Sequence, residues 1–227
     1  MVSDLPSRLR QSWHANADAW THAVREGTIP SRESGTDAAI VEAVVRSLPP
    51  AGRVLDVGCG EGWLCRALAA LGAETHGVDA SEPLVSAARD AGGSYDVLSF
   101  DDAGLDPSRL GGPYEAAVFN FALLDDAPGG ILRAVRRALS PGGRVYIQTV
   151  HPATVGGPYR DGWREETFTS FGGSFEPMPW YFRTFGSWVR VLTGAGFAVI
   201  DVIEPLAPAG DAPLSLLLVA EAPLDAF

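Results

Sequence analysis

The chain has 227 residues, 46% of them hydrophobic, which suits one sizeable α/β core with an appended lobe and is unlike a disordered chain. Seventeen arginines and no lysine stand against 28 carboxylates, a net charge of −11. Such a balance opposes a phosphate-backbone partner, whose recognition needs clustered cations.

Residues 1–25 carry Arg8, Arg10, Trp13 and His14 where a signal peptide would have an apolar core, so a cytoplasmic protein is expected. Trp13, Ala17, Trp20 and Val24 recur at a spacing near four, predicting one amphipathic helix over 7–26. The stretch GTIPSRESGTD breaks it, and Thr36 or Asp37 caps a second helix that runs to about Leu48. RVLDVG is a buried strand, followed by a helix over 61–71 closed by Gly72. AETHGVDAS is a second strand, with Ser81 capping a helix over 83–91. SYDVLSF and YEAAVFNFALL are the third and fourth strands. A helix over 130–139 ends at SPGG, and RVYIQTV is the fifth strand. From His151 to Tyr181 the pattern dissolves into Gly, Pro and aromatics. A helix over 184–195 and strands over 197–204 and 213–220 complete the chain. The longest apolar runs, such as 214–220, are strand-length and too short to cross a bilayer. The two cysteines, Cys59 and Cys65, lack metal-ligand spacing and read as small packing residues, with no metal expected.

Strands apolar on both faces alternate with helices from residue 38 to about 150, the pattern of a parallel sheet covered on both sides. Ligands of such sheets bind beyond the carboxyl ends of the strands, where the strand order reverses. The first strand delivers Asp56 and the turn Gly58-Cys59-Gly60-Glu61-Gly62 to that edge, and the second delivers Asp79 about twenty residues later. Glycines admit a sharp turn and a close ligand, and a carboxylate at the second strand's end suits ribose hydroxyls.

The D-x-G-x-G-x-G run over 56–62, the acidic GVDAS over 77–81, and the segments YEAAVFNFALL and LSPGGRVYIQT resemble the class I S-adenosylmethionine-dependent methyltransferases, in their small-molecule, natural-product branch. The likeness is close over 38–150 and looser beyond. It implies a Rossmann-like, doubly wound seven-stranded sheet whose last strand is antiparallel. It also implies an N-terminal helical cap over 1–37, a cofactor-binding core over 38–150, an acceptor lobe over 151–182 and a closing helix and strands over 183–227. By the same resemblance Asp56 and the Gly58–Cys59–Gly60 backbone meet the methionyl part of S-adenosylmethionine, and Asp79 with Ala80 meets the ribose. Phe100, Asp101 or Asp102 meets adenine, the motif leaving the choice open, and Asn120 and Phe121 lie under the sulfonium. Trp20 and Arg32 reach the cofactor from the cap.

Each residue also has a structural reading. Asp79 suits a helix N-cap, Asn120 a strand end, and Cys59 simple packing. Arg32 pairs with the methionyl carboxylate or with Glu33 or Asp37. His151 is either the base that takes a proton from the acceptor or a structural hydrogen-bonder. Tyr181 and Arg183 orient the acceptor in catalysis or anchor the lobe to Glu165 or Glu166.

Aromatic residues crowd the cap and lobe; Trp13, Trp20, Trp163, Trp180 and Tyr181, with His151, are the candidate acceptor-binding set. Aromatic walls favour a planar, hydrophobic, weakly charged acceptor and also attract a sulfonium cation. The expected enzyme is thus a monomeric or homodimeric methyltransferase acting on carbon, nitrogen or oxygen of a phenol, indole or related secondary metabolite. Its rivals are a protein or RNA methyltransferase, an NAD-dependent oxidoreductase and a non-catalytic cofactor-binding module.

Overall fold

The computed structural model describes residues 4–171, 174–207, 210 and 212–223. The other positions of the expected cap, lobe and C-terminal segment lie outside the described residues. In chain order the elements are α1 (Leu5–Ala15), α2 (Ala17–Arg25), α3 (Asp37–Ser47), β1 (Arg53–Val57), α4 (Trp63–Ala70), β2 (Glu74–Asp79), α5 (Glu82–Asp90) and β3 (Tyr95–Val97). There follow α6 (Phe100–Leu105), β4 (Tyr114–Asn120), α7 (Gly129–Ala138), β5 (Leu139–Thr149), β6 (Gly162–Glu166), β7 (Met178–Phe182), α8 (Phe185–Gly194), β8 (Ala198–Ile203) and β9 (Leu216–Glu221).

Seven strands form one sheet in the order β3-β2-β1-β4-β5-β9-β8. The first five are mutually parallel, and β9, last in sequence, inserts antiparallel between β5 and β8. The parallel part is the sheet expected from the alternating apolar segments, and the seven-stranded Rossmann-like whole with its antiparallel last strand is what the resemblance implied. Successive residues along a strand face opposite sides, so Val54, Ala116, Val118, Tyr146 and Leu217 enter one buried cluster with α3 and α4. Their neighbours Leu55, Ala117, Phe119, Ile147 and Leu218 enter the other, with α7 and α8. A Leu or Phe removed from water this way contributes about 1.5–3 kcal/mol, which accounts for the strands' continuous apolar character.

The strand order reverses at β1, flanked by β2 on one side and β4 on the other. A crevice therefore opens beyond the carboxyl ends of β1 and β4. Two segments roof it. The helix expected over 7–26 is interrupted at Asn16, which is not helical and ends α1. Its buried side chain donates from Nδ2 to the Glu176 carbonyl (2.9 Å) and accepts from the Glu176 N–H at Oδ1 (2.7 Å), fastening the cap to the lobe. The lobe, which shows no strand pattern in sequence, contains the antiparallel hairpin β6–β7. Leu9 of α1 packs with Phe168 and Met178 of the lobe, with Trp13, Trp20, Phe171 and Phe175 around them.

Smaller differences share one cause, local groups that bond other neighbours along the chain than a simple capping reading expects. Neither expected cap bonds its helix: Thr36 donates to the Ser31 carbonyl (3.0 Å), and Asp37 binds Arg32. Ser81 stands before α5 without a capping bond, and its backbone N–H is instead taken by Asp79 Oδ1 at 2.8 Å. The third strand is only three residues long, because Ser99 accepts the Asp102 N–H (3.0 Å) and starts α6.

Candidate active site

A cavity of about 710 Å³ fills the crevice and is bounded by β1, β2 and β4 below and by cap and lobe above. Its volume lies within the ordinary range of small-molecule sites. The floor is the turn after β1. Gly58 and Gly60 both adopt left-handed backbone angles (φ +81° and +55°), which disfavour other residues. They do different work. A Cβ on Gly58 would lie 2.5 Å from Ala122 Cβ, so this glycine lets the turn pack under β4; one on Gly60 would meet only Trp20 Nε1 at 3.7 Å, so this position faces the cavity. Cys59 lines the same floor. Burial raises the thiols of Cys59 and Cys65 well above the ordinary value, consistent with inert packing residues.

Three polar groups are poised toward this end. Asp56, 2% exposed, receives the Cys65 thiol at Oδ2 (3.6 Å), while its Oδ1 is buried with no partner. Burial, reinforced by the nearby Asp79 charge, raises its carboxyl to about 7. Asp79 accepts the Gly60 N–H (2.9 Å) and the Ser81 N–H (2.8 Å), and so ties the turn to the end of β2; burial raises its pKa despite these bonds. Its two oxygens offer about four acceptor positions, so room for hydroxyl donors remains. Asn120 ends β4 with Oδ1 buried and unpartnered, and Phe121 follows in a left-handed conformation (φ +52°). Backbone strain of this kind in a bulky residue concentrates at working sites. Unpartnered acceptors on Asp56 and Asn120, with a glycine face between aromatic rings, fit a ligand bearing an ammonium, hydroxyls and a sulfonium.

Of the three adenine candidates, Phe100 and Asp101 line the cavity; Asp102 does not and pairs with Arg109 at 3.7 Å. Ala80 is on the wall. Arg32 is there too, with Nε and Nη2 on Asp37 at 2.8–3.0 Å and its guanidinium carbon 4.3 Å from the Trp63 ring centroid. The ion pair foreseen with Asp37 therefore exists, and Arg32 still faces the cavity. Across the cavity stand Trp13 and Trp20, edge to face at 5.1 Å, with Phe168, Phe171 and Trp180, and Trp20 reaches over Gly60.

Four further candidates, besides Asp102, lie off the cavity wall. Trp163 and Tyr181 pair with one another across the β6–β7 hairpin (ring centroids 5.5 Å apart). Arg183 is buried against the Tyr181 and Trp188 rings (4.8 and 5.1 Å) and donates to the Asp125 carbonyl, rather than to Glu165 or Glu166. His151 is 8% exposed; its Nε2 meets Glu204 Oε1 at 2.6 Å and its Nδ1 accepts the Ala153 N–H at 3.2 Å. Val150 is on the wall, but His151 is not. Both nitrogens are thus engaged away from the cavity, an arrangement suited to pinning the strand end.

Sequence reasoning missed Trp63, His14 and Asp125, all on the cavity wall, and Glu61 beneath it. The Glu61 side chain is buried between Arg25 of α2 (3.1 Å) and Arg66 of α4 (2.8 Å), bonding the cap to the glycine turn. Its place inside the glycine motif was the available signal. Among the described residues no cluster of three His, Cys, Asp or Glu side chains is placed to hold a metal.

Comparison with known proteins agrees with this geometry. Residues 32–202 match the model of the methyltransferase domain family. Over 120 residues the chain is 36% identical to a ubiquinone biosynthesis O-methyltransferase of Xanthomonas axonopodis pv. citri (strain 306), covering 49% of this chain and 48% of that protein. The chain thus spans about half the length of the curated relatives it matches. An S-adenosylmethionine-dependent methyltransferase from Mesorhizobium loti superposes with TM-score 0.59 at 26% identity, over 80% of this chain and 97% of that one. The 1,6-didemethyltoxoflavin-N1-methyltransferase of Burkholderia thailandensis, solved with 1,6-didemethyltoxoflavin and S-adenosylhomocysteine, shares the fold (TM-score 0.65, 19% identity, 96% of this chain and 88% of that one). The chain belongs to the methyltransferase domain family, with the class I S-adenosylmethionine-dependent enzyme fold.

Proposed function

We propose that the chain transfers the methyl group of S-adenosylmethionine to a small, planar, weakly charged acceptor such as a phenol, an indole or a related heteroaromatic secondary metabolite. The observation that carries this reading is a single cavity lined both by the glycine turn with the unpartnered Asp56 and Asn120 oxygens and by the aromatic side chains Trp13, Trp20, Phe168, Phe171 and Trp180. The cofactor, when bound, supplies a methyl group already activated on a sulfonium. In our assignment Asp79 takes the ribose hydroxyls on its free lone pairs, with Ala80 beside it. Asp56 Oδ1 takes the methionyl ammonium. The Gly58–Gly60 backbone and the Arg32 Nη1 edge, left over from the Asp37 pair, hold the rest of that chain. Phe100 and Asp101 flank adenine, while Asn120 and Phe121 sit beneath the sulfonium with Trp20 above.

The work of the protein is alignment and exclusion of water, effects that in favourable geometry account for several kcal/mol of barrier. Trp13, Trp20 and Trp180 would hold a flat acceptor by face and edge contacts. The ubiquinone O-methyltransferase relatives support an aromatic oxygen as the methyl acceptor, and the toxoflavin enzyme supports a ring nitrogen. Transfer of labelled methyl from S-adenosylmethionine to a panel of phenols and indoles, run beside denatured proteins and transfer RNA, tests the proposal. Label in the extractable small molecules is the expected result; label only in protein or RNA overturns it.

A further inference from the structure

Among the described residues five acids line the cavity: Asp56, Asp79, Asp101, Asp125 and Glu166. Asp56 and Asp79 serve the cofactor end. Asp101 is 76% exposed and pairs with Arg10 at 3.5 Å. Glu166 Oε1 is occupied by the backbone N–H groups of Thr167 (2.9 Å) and Phe168 (2.7 Å). Asp125 differs, because its Oδ1 is buried with no hydrogen-bond partner while the residue lines the cavity. Leaving a carboxylate oxygen so costs about 1–3 kcal/mol or more, a penalty that a ligand donor would relieve.

The backbone holds Asp125 at this place from two sides. Leu124, its neighbour, accepts the Tyr181 N–H of β7 at 2.8 Å. The Asp125 carbonyl itself accepts from Arg183, whose guanidinium is fixed between the Tyr181 and Trp188 rings. Thus the residues once expected to touch the acceptor directly, Tyr181 and Arg183, instead brace the loop that carries Asp125. The same lobe supplies Trp180 to the cavity wall, so the carboxyl group lies where lobe and core meet.

We propose that Asp125 orients the acceptor, its carboxylate receiving a hydrogen bond from the acceptor's O–H or N–H and taking that proton as the methyl group is transferred. This rests on the small-molecule methyl-transfer reading above. For a phenol, the O–H bond breaks toward the carboxylate as the oxygen bonds to the methyl carbon. The C–S bond breaks with its electron pair left on sulfur, so charge and protons balance. Burial raises the Asp125 carboxyl and the nearby Arg183 charge opposes that rise; the net upward direction strengthens the carboxylate as a proton acceptor.

The test uses protein saturated with S-adenosylhomocysteine and two probes, 4-methylphenol, which keeps its proton at neutral pH, and its methyl ether 4-methylanisole, which lacks the donor. Wild type should bind both. Asp125→Asn should bind the ether within twofold of wild type but the phenol at least tenfold more weakly, with unchanged affinity for S-adenosylhomocysteine. Asp125→Ser, which keeps a small polar side chain without the carboxylate, should give the same selective loss. Equal phenol binding by wild type and both variants overturns the role of Asp125 and leaves the methyl-transfer reading standing. Parallel loss of both probes also overturns it, since a merely structural role gives that result. Failure of the wild-type complex to bind either probe removes the aromatic-acceptor reading and this proposal with it.

Discussion

Replacing Asp56 by Asn should change how stability depends on pH. Burial raises the Asp56 carboxyl from 3.8 to about 7, so the folded protein keeps a proton that the unfolded chain has already lost. Stability from this group is complete below about pH 4 and is lost as the pH rises through about 7. The gap of about three pH units, at about 1.4 kcal/mol each, bounds the loss at about 4 kcal/mol. Asparagine is nearly isosteric and cannot ionise, so Asp56→Asn should lack this slope. Urea unfolding followed by tryptophan fluorescence at pH 5, 6, 7 and 8 measures it. The variant should gain on wild type by about 1.4 kcal/mol per pH unit from pH 5 to about pH 7 and level off by pH 8, a gain of about 2–3 kcal/mol across the series. Asp125, whose carboxyl burial also raises, is present in both proteins and cancels, whereas Asp79 is coupled to Asp56 and its response is part of the difference between the two curves. Curves that stay parallel across this range would refute a buried, largely protonated Asp56.

Other expectations follow from the roof and its anchors. Glu61→Ala should destabilise the fold by about 1–3 kcal/mol, the worth of lost charged hydrogen bonds, because Arg25 and Arg66 are partly exposed and recover water. Hydrogen exchange over residues 10–35 should slow when S-adenosylhomocysteine is added, since α1 and α2 form the roof; equal protection with and without it would count against a lid. His151→Gln should lower the melting temperature and leave methyl-transfer turnover within a few fold, because both ring nitrogens bond outside the cavity. A hundredfold fall in turnover without loss of stability would restore His151 as a base.

The core was legible because local pattern and tertiary structure agree there. VLDV and VYIQT are buried on both faces, and the glycine turn and Asp79 carry their meaning in residue type alone. The roof was not legible, for reasons visible residue by residue. Asn16 interrupts a helical periodicity because its amide is needed by Glu176, 160 positions away. GWREE gives no apolar alternation, yet it pairs with MPWYF as β6 and β7. His151 follows the fifth strand as a catalytic residue would, but its partner Glu204 lies on a later segment. Asp125 reads as an ordinary loop acid until Tyr181 and Arg183 are seen to fix its backbone against the cavity. Contacts between distant segments decide each of these cases, and no local window contains them.

The most direct test of the central claim is a calorimetric titration with S-adenosylhomocysteine on wild type and Asp79→Ala, each shown to be folded by its melting curve. The account predicts saturable one-site binding by wild type, weakened in the variant by about 1.5–3 kcal/mol, as expected when hydrogen bonds to a charged group are lost. Absence of binding by folded wild-type protein, or equal binding by the two, would contradict it.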